Sequence, residues 1–384
     1  MFRMKTRRIQ GEPSWTMQTP EISAALRVEG GHLGPVDFHF GRRTISPFSV
    51  APWHDEPSRK DLPPVIRGLR GDFFCLPFGG NASPWRGERH PIHGETANEA
   101  WTFRQLRQEA GGLMLETELN TAIRPGRVVK QISLKPGQHA VYSRHLLSRF
   151  SGPMNFGHHA MLQFPESGGA VSTSPICCGQ VFPGEFESAA GGGYSSLKAG
   201  ALFKSLSRVP LAAGGWADLS HYPAREGFED LVMVSSRPGR DSFAWTAVAF
   251  PSERYVWFAL KDPRVLPSTV LWHSNGGRHY SPWSGRHRRV LGLEEVAAYF
   301  HYGLAESVAP NPVSQRGIAT NHRLHPKKVF AVNYIMAVAE ITPKFDRVRR
   351  ITACPGGVQL TAFSGSVCQV PLDPAFLFQT ASIP

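Results

Sequence analysis

At 384 residues, with 41% apolar and 19% charged residues, the chain is long enough for one large domain or two ordinary ones, and wholesale disorder is excluded. Its 38 Gly and 32 Pro leave little room for long helices, which rules out helical bundles and coiled coils, while 24 Phe, 9 Trp and 8 Tyr are ample for a thick core. The net charge of +12 is spread along the sequence, with short clusters at 5–8, 286–289 and 347–350 and no basic tail, so nucleic acid is not an expected partner. Five Cys, including the neighbours Cys177 and Cys178, give neither a disulfide framework nor a C-x-x-C knuckle. No apolar run follows the basic start Met1-Phe2-Arg3-Met4-Lys5. The most apolar long stretch, 329–341, carries Asn333 and Glu340 and is too short for a bilayer. The chain therefore reads as a reduced, cytoplasmic protein without a membrane partner.

In chain order, residues 1–20 read as a loosely ordered N-terminal segment. Gly30-Gly31-His32-Leu33-Gly34-Pro35-Val36 stands ahead of a strand, and 78–94 is a long loop dense in Gly, Pro, Arg and His. From there period-two alternation dominates. Leu113, Leu115, Thr117 and Leu119 share one face, and the pattern repeats over 128–134, 139–147, 231–236 and 243–250. Residues 255–260 are apolar on both faces, the mark of a central strand covered from two sides. Further strands are expected at 269–273, 290–296, 329–341, 348–353, 358–363 and 367–370. The Gly-, Ala- and Ser-rich stretch 188–215 holds Leu202, Phe203 and Trp216 and reads as an excursion over one face. The sequence predicts an all-β single domain spanning 1–384, a large antiparallel sandwich with few short helices.

Sixteen His raise the question of a metal. His90-x-x-His93 and His322-x-x-His325 are the only H-x-x-H pairs; Pro91 breaks a helical reading of the first. His158 and His159 are adjacent, so on a strand they face opposite ways. No metal site is expected.

Three segments stand out in order. Phe73-Phe74-Cys75-Leu76-Pro77-Phe78-Gly79-Gly80-Asn81 leads to His93-Gly94-Glu95 and Trp101; then come Phe156-Gly157-His158-His159-Ala160-Met161-Leu162 and Val290-Leu291-Gly292-Leu293-Glu294-Glu295. Together they resemble the galactose mutarotase-like superfamily, the aldose 1-epimerases and their distant relatives. That family carries a Pro, Phe, small, Asn loop, a His-Gly followed by Trp, a Gly-x-His-Pro-x-Phe segment and a Gly-Ile-Glu strand. The early Gly30-Gly31 before a strand resembles the family's opening, and the likeness runs from about residue 28 to 341. The sequence departs from the family at Ala82, where a sugar-binding Arg is usual, and at Ala160 and Glu295, where Pro is usual. Arg86 and Arg89 lie in the same loop as Ala82 and are the available replacements. Asp218 and Asp230 are the candidates for the family's substrate-binding Asp.

The resemblance implies an antiparallel β-supersandwich and an aldose 1-epimerase-like isomerase, with Glu294 as base, His159 as acid, and His93 bonding the sugar near its ring oxygen. Interconverting anomers needs one base and one acid flanking the C1–O5 region, with no metal, nucleotide or other cofactor. A desolvated carboxylate suits the first role and an imidazole the second. Alternation allows only one of Glu294 and Glu295 into a cleft, and Gly-x-Glu spacing favours Glu294; Gly-x-His spacing likewise favours His159 over His158. Asn81 and Arg89 are candidate substrate-binding residues from the first loop, and Trp272 and Arg278 from the polar-aromatic turn 272–280. Trp101, Trp216 and Trp283 are further stacking candidates. Arg278, Arg86 or Arg89 suits an anionic group on the sugar. Two other classes fit: a carbohydrate-binding protein without turnover, and a polysaccharide lyase or hydrolase on a similar sandwich. A monomer or homodimer is expected.

Overall fold

Period-two alternation becomes antiparallel pairing throughout the computed structural model, which describes residues 4–109, 111–236 and 243–380. Nine strands form one sheet, in the order His221–Tyr222, Gly169–Thr173, Ala244–Phe250, Tyr255–Lys261, Phe330–Glu340, Ala140–Ser148, Gly126–Leu134, Gly112–Thr121 and Thr102–Glu109. A second sheet runs Leu202–Phe203, Ile176–Val181, Phe228–Ser236, Ser268–Asn275, Val290–Ala297, Phe156–His158 and Phe74–Cys75, with Ala160–Gln163 also paired to Val290–Ala297. The α-helices among the described residues are the short Pro64–Arg67 and Leu304–Val308. The fold is thus the expected all-β antiparallel supersandwich.

The two large sheets pack face to face. Trp257, Leu115, Ile132 and Met336 from the first meet Leu271, Leu291 and Leu293 from the second in one buried cluster. Tyr255–Lys261 is buried along its whole length because both its faces are covered. Trp257 and Ala259 enter the space between the sheets, whereas Val256, Phe258 and Leu260 pack under the C-terminal sheet of Val348–Cys354, Gly357–Ala362 and Val367–Pro371.

Residues 7–18 correct the reading of a loose N-terminus. Arg7–Ile9 and Glu12–Gln18 open a five-stranded antiparallel sheet, and Trp15 and Met17 are buried in the main core. Residues 1–3 lie outside the described residues. The excursion at 188–215 does hold to the sandwich, through buried Leu197, Leu206 and Val209.

Strand Val290–Ala297 separates its two carboxylates by alternation. Leu291, Leu293 and Ala297 point between the sheets, and Glu295 goes with them. There it accepts from Thr246 Oγ1 at 2.6 Å and Thr269 Oγ1 at 2.7 Å, and pairs with Lys261 Nζ. A buried ion pair is strongly destabilising when halved, by roughly 3–5 kcal/mol, because one charge is left uncompensated. Lys261→Met is therefore expected to lower stability by about that amount in chemical denaturation. Adding Glu295→Leu to the same chain is expected to recover most of the loss; an undiminished loss in the double variant would mean that packing, not the orphaned charge, sets the cost.

Candidate functional site

The face of the second sheet that points away from the sandwich interior is not open to water. Helix Pro64–Arg67 and the loops around Ile92, Phe186, Trp283 and His301 fold over it, leaving a small cleft. Register decides which side chains enter. Gly157 pairs with Val296 and Ala160 with Leu293, so His159 stands opposite Glu294 on the cleft face. His159 Nε2 lies 3.4 Å from Glu294 Oε1.

The neighbours of this pair explain the motif glycines. A side chain at Gly292 would put its Cβ 2.9 Å from Glu294 Oε1 and 3.0 Å from Trp272 Cβ, so only glycine leaves the carboxyl its place. Gly94 has φ +74°, and a Cβ there would sit 2.0 Å from the Leu76 carbonyl oxygen. The close approach seats His93, itself at φ 59°, with its backbone N–H donating to Gly79 O at 2.7 Å. A buried non-glycine residue in this region marks a conformation imposed by the surrounding fold. His93 then meets His159 edge-on at 5.0 Å between ring centroids, within a collar made by Phe73 and Phe78. Phe73 is itself stacked between His159 at 4.6 Å and His32 at 4.3 Å.

Of the residues expected from sequence, His93, His159, Glu294, Trp272 and Arg278 all line this cleft, as does Trp283. Asn81 and Arg89 do not. The Asn81 amide donates to the carbonyls of Pro77, Gly79 and Pro91 and accepts from Leu304 N–H, so its polar atoms tie the loop together. Arg89 is exposed on the loop's outer side and Arg86 is exposed too, with its guanidinium over the Trp85 ring. Asp230 is consumed by Ser196, Leu197 N–H and Arg225, and Asp218 holds Ser220 and His221 on the surface. Trp101 is a core residue bonded to Thr96 O, and Trp216 is exposed beneath Arg208.

One cleft group, His301, and two groups that hold cleft side chains, Glu187 and Glu229, had no motif to announce them. His301 lies 5.1 Å from His93, ring to ring. Glu187 accepts from Arg278 Nε at 2.5 Å. Glu229 accepts from the Trp272 indole N–H at 2.8 Å. The signal for Glu229 was alternation: it shares a face with Leu231, which pairs with Trp272, whereas Asp230 points the other way.

Burial sets the protonation of the site. Desolvation pushes Glu294 well above the usual carboxylate range, against the opposing pull of Arg278. Desolvation, helped by His301, lowers His159 to about 3, and His93 falls well below its ordinary value for the same two kinds of reason. His301 is lowered to about 4. Burial thus favours the uncharged forms of both groups, a carboxylic acid facing a neutral imidazole. Among the described residues, Glu294 Oε2 and the Nδ1 atoms of His159 and His93 have no protein partner. Arg278 keeps its charge because Glu229 and Glu187 outweigh the burial that opposes it, and its guanidinium lies 4.5 Å from the Trp283 ring centre and 5.2 Å from that of Trp272. Among the described residues, no group of three or more His, Cys, Asp or Glu is arranged to hold a metal ion. The larger surface hollows around Arg225 and Asp346 hold no buried acid–base pair; the Asp218–His221 contact in the second is exposed to water.

His158 and Glu295, the neighbours passed over, sit behind the cleft. His158 Nδ1 is 2.9 Å from Asp72 Oδ2, and its ring stacks on Tyr334.

No family model matches the sequence, and no curated protein matches it. Solved structures do match the fold. A candidate aldose 1-epimerase from Klebsiella pneumoniae superposes with a TM-score of 0.60 at 12% identity, covering 86% of this chain and 80% of its own. A candidate mutarotase from Salmonella typhimurium gives 0.56 at 11% identity over 87% and 93%. A galactose mutarotase-like protein from Lactobacillus casei gives 0.55 at 11% identity over 85% and 100%. The fold is that of the galactose mutarotase-like proteins. No helix among the described residues is long and apolar enough to cross a membrane.

Proposed function

We propose that the protein is an aldose 1-epimerase-like sugar isomerase, with Glu294 and His159 as its proton-transfer pair. The observation that carries this reading is the 3.4 Å approach of the two groups inside a cleft walled by Trp272 and Trp283. Aromatic walls suit the C–H face of a pyranose, and His93 is the hydrogen-bonding group beside them.

Ring opening takes the proton of O1–H to the base while the C1–O5 bond breaks and O5 takes a proton from the acid. Rotation about C1–C2 and the reverse transfers then close the other anomer. Passing the shared proton from Glu294 to His159 gives the carboxylate and imidazolium that open the ring. The neutral pair, which the dry cleft favours, is the state left after opening, and it closes the ring around the free aldehyde. One proton serves both directions, so the enzyme returns to its starting state each cycle. The buried site strengthens this exchange because water does not compete for the proton.

Saturation-transfer NMR between α and β anomers tests the reading across neutral, phosphorylated and acidic aldoses. Exchange well above the buffer rate, unchanged by a chelator, is expected for at least one sugar. Binding without exchange would instead make the protein a carbohydrate-binding one, and loss of exchange on chelation would favour a metal-dependent reaction.

A further inference from the structure

Glu229 belongs to no motif and touches neither Glu294 nor His159, yet it is fully buried and gathers one wall of the cleft. Its Oε2 accepts from Trp272 Nε1 at 2.8 Å; its Oε1 accepts from Ser274 Oγ at 2.9 Å and Gly277 N–H at 3.2 Å. Gly277 immediately precedes Arg278, so one carboxylate ties the indole to the turn that carries the guanidinium. A buried acceptor with three donors aimed at it fixes geometry, because leaving any of them unmet carries the full desolvation penalty of that group. We propose that Glu229 is the positioning residue of the sugar platform, holding the Trp272 ring and the Arg278 turn in their binding orientation.

The inference rests on the isomerase reading for its consequence but not for its geometry. Desolvation raises Glu229 to about 7, opposed by Arg278 and by the bonds from Ser274 and Trp272, and reinforced by Glu187. His287 faces it through Ser274, whose Oγ lies 2.7 Å from His287 Nδ1, and Tyr222 feels its charge from a strand of the other large sheet. Asp230, next in the chain, points to Arg225. His287 is lowered to about 3 by burial and then Arg278, so it stays neutral while Glu229 titrates.

The test is the pH dependence of the Trp272 indole ¹⁵N–¹H signal in the full chain without sugar, assigned by Trp272→Phe. In the wild type the signal is expected to move with a midpoint near 7 between pH 6 and 8.5. In Glu229→Gln it is expected to be flat. A signal that is flat in the wild type, or that titrates equally in Glu229→Gln, overturns the proposal, and the wild-type measurement stands even if the variant does not fold. With D-galactose as probe, Glu229→Gln is expected to raise KM about tenfold and leave kcat within about twofold, since its effect falls on binding and not on proton transfer. An equal fall in kcat and kcat/KM overturns it. If the wild type exchanges no anomers of any sugar, the isomerase reading fails while the indole result still decides the role of Glu229.

Discussion

Glu294→Gln is expected to lower kcat for anomer exchange by about 10²–10⁴-fold, or roughly 3–5 kcal/mol of barrier, with little change in sugar affinity. The amide fills the space bounded by Gly292 and Trp272 but cannot carry the proton that passes between the pair. His159→Asn is expected to fall in the same range. The double variant is expected to lose far less than the product of the two, because both residues serve one proton. His158→Asn makes the internal control: its ring lies on the other face against Asp72 and Tyr334, so kcat is expected to change less than tenfold. The wild-type kcat is expected to show no inflection from His159 at neutral pH, since burial keeps that imidazole neutral down to about 3. Equal exchange rates for wild type and Glu294→Gln, with binding intact, would leave a sugar-binding protein on this fold.

The parts of the site that were legible in the sequence are those that strand alternation governs. Adjacent residues on a strand must diverge, so the Glu294/Glu295 and His158/His159 choices reduced to register, and the glycine two positions earlier marked the crowded face in both cases. The loop residues were not legible in this way. Asn81 and Arg89 stand in the same loop as the motif, yet one turns inward to satisfy backbone carbonyls and the other turns outward to water; loop sequence does not encode that direction. His301 and Glu187 reach the site only because distant segments close over one sheet face, whereas Glu229 is placed by its strand. The N-terminal strands were not legible: residues 1–20 read as loosely ordered, yet Trp15 and Met17 point into the core.

Acid is expected to unfold the protein well above pH 4. The cleft carries three imidazoles kept neutral by burial, His93, His159 and His301, and His287 lies behind its tryptophan wall in the same state. His32, His145, His273 and His322 are lowered by burial as well. In the unfolded chain each takes up a proton near pH 6.5, whereas in the folded chain it does so only at lower pH. Between those limits the unfolded state binds more protons, so stability is fully present above about pH 6.5 and falls as pH drops, by at most about 1.4 kcal/mol per pH unit for each histidine. Glu229 and Glu294 act in the opposite sense, because their raised folded pKa values let the folded state hold protons that the unfolded state has released. Two carboxyls offset two imidazoles, and the remainder set the slope. Equilibrium denaturation at successive pH values is expected to show a net uptake of more than two protons on unfolding between pH 6 and 4.5. Uptake near zero would mean that these imidazoles are charged in the folded protein, and it would remove the neutral His159 on which the one-proton exchange with Glu294 depends.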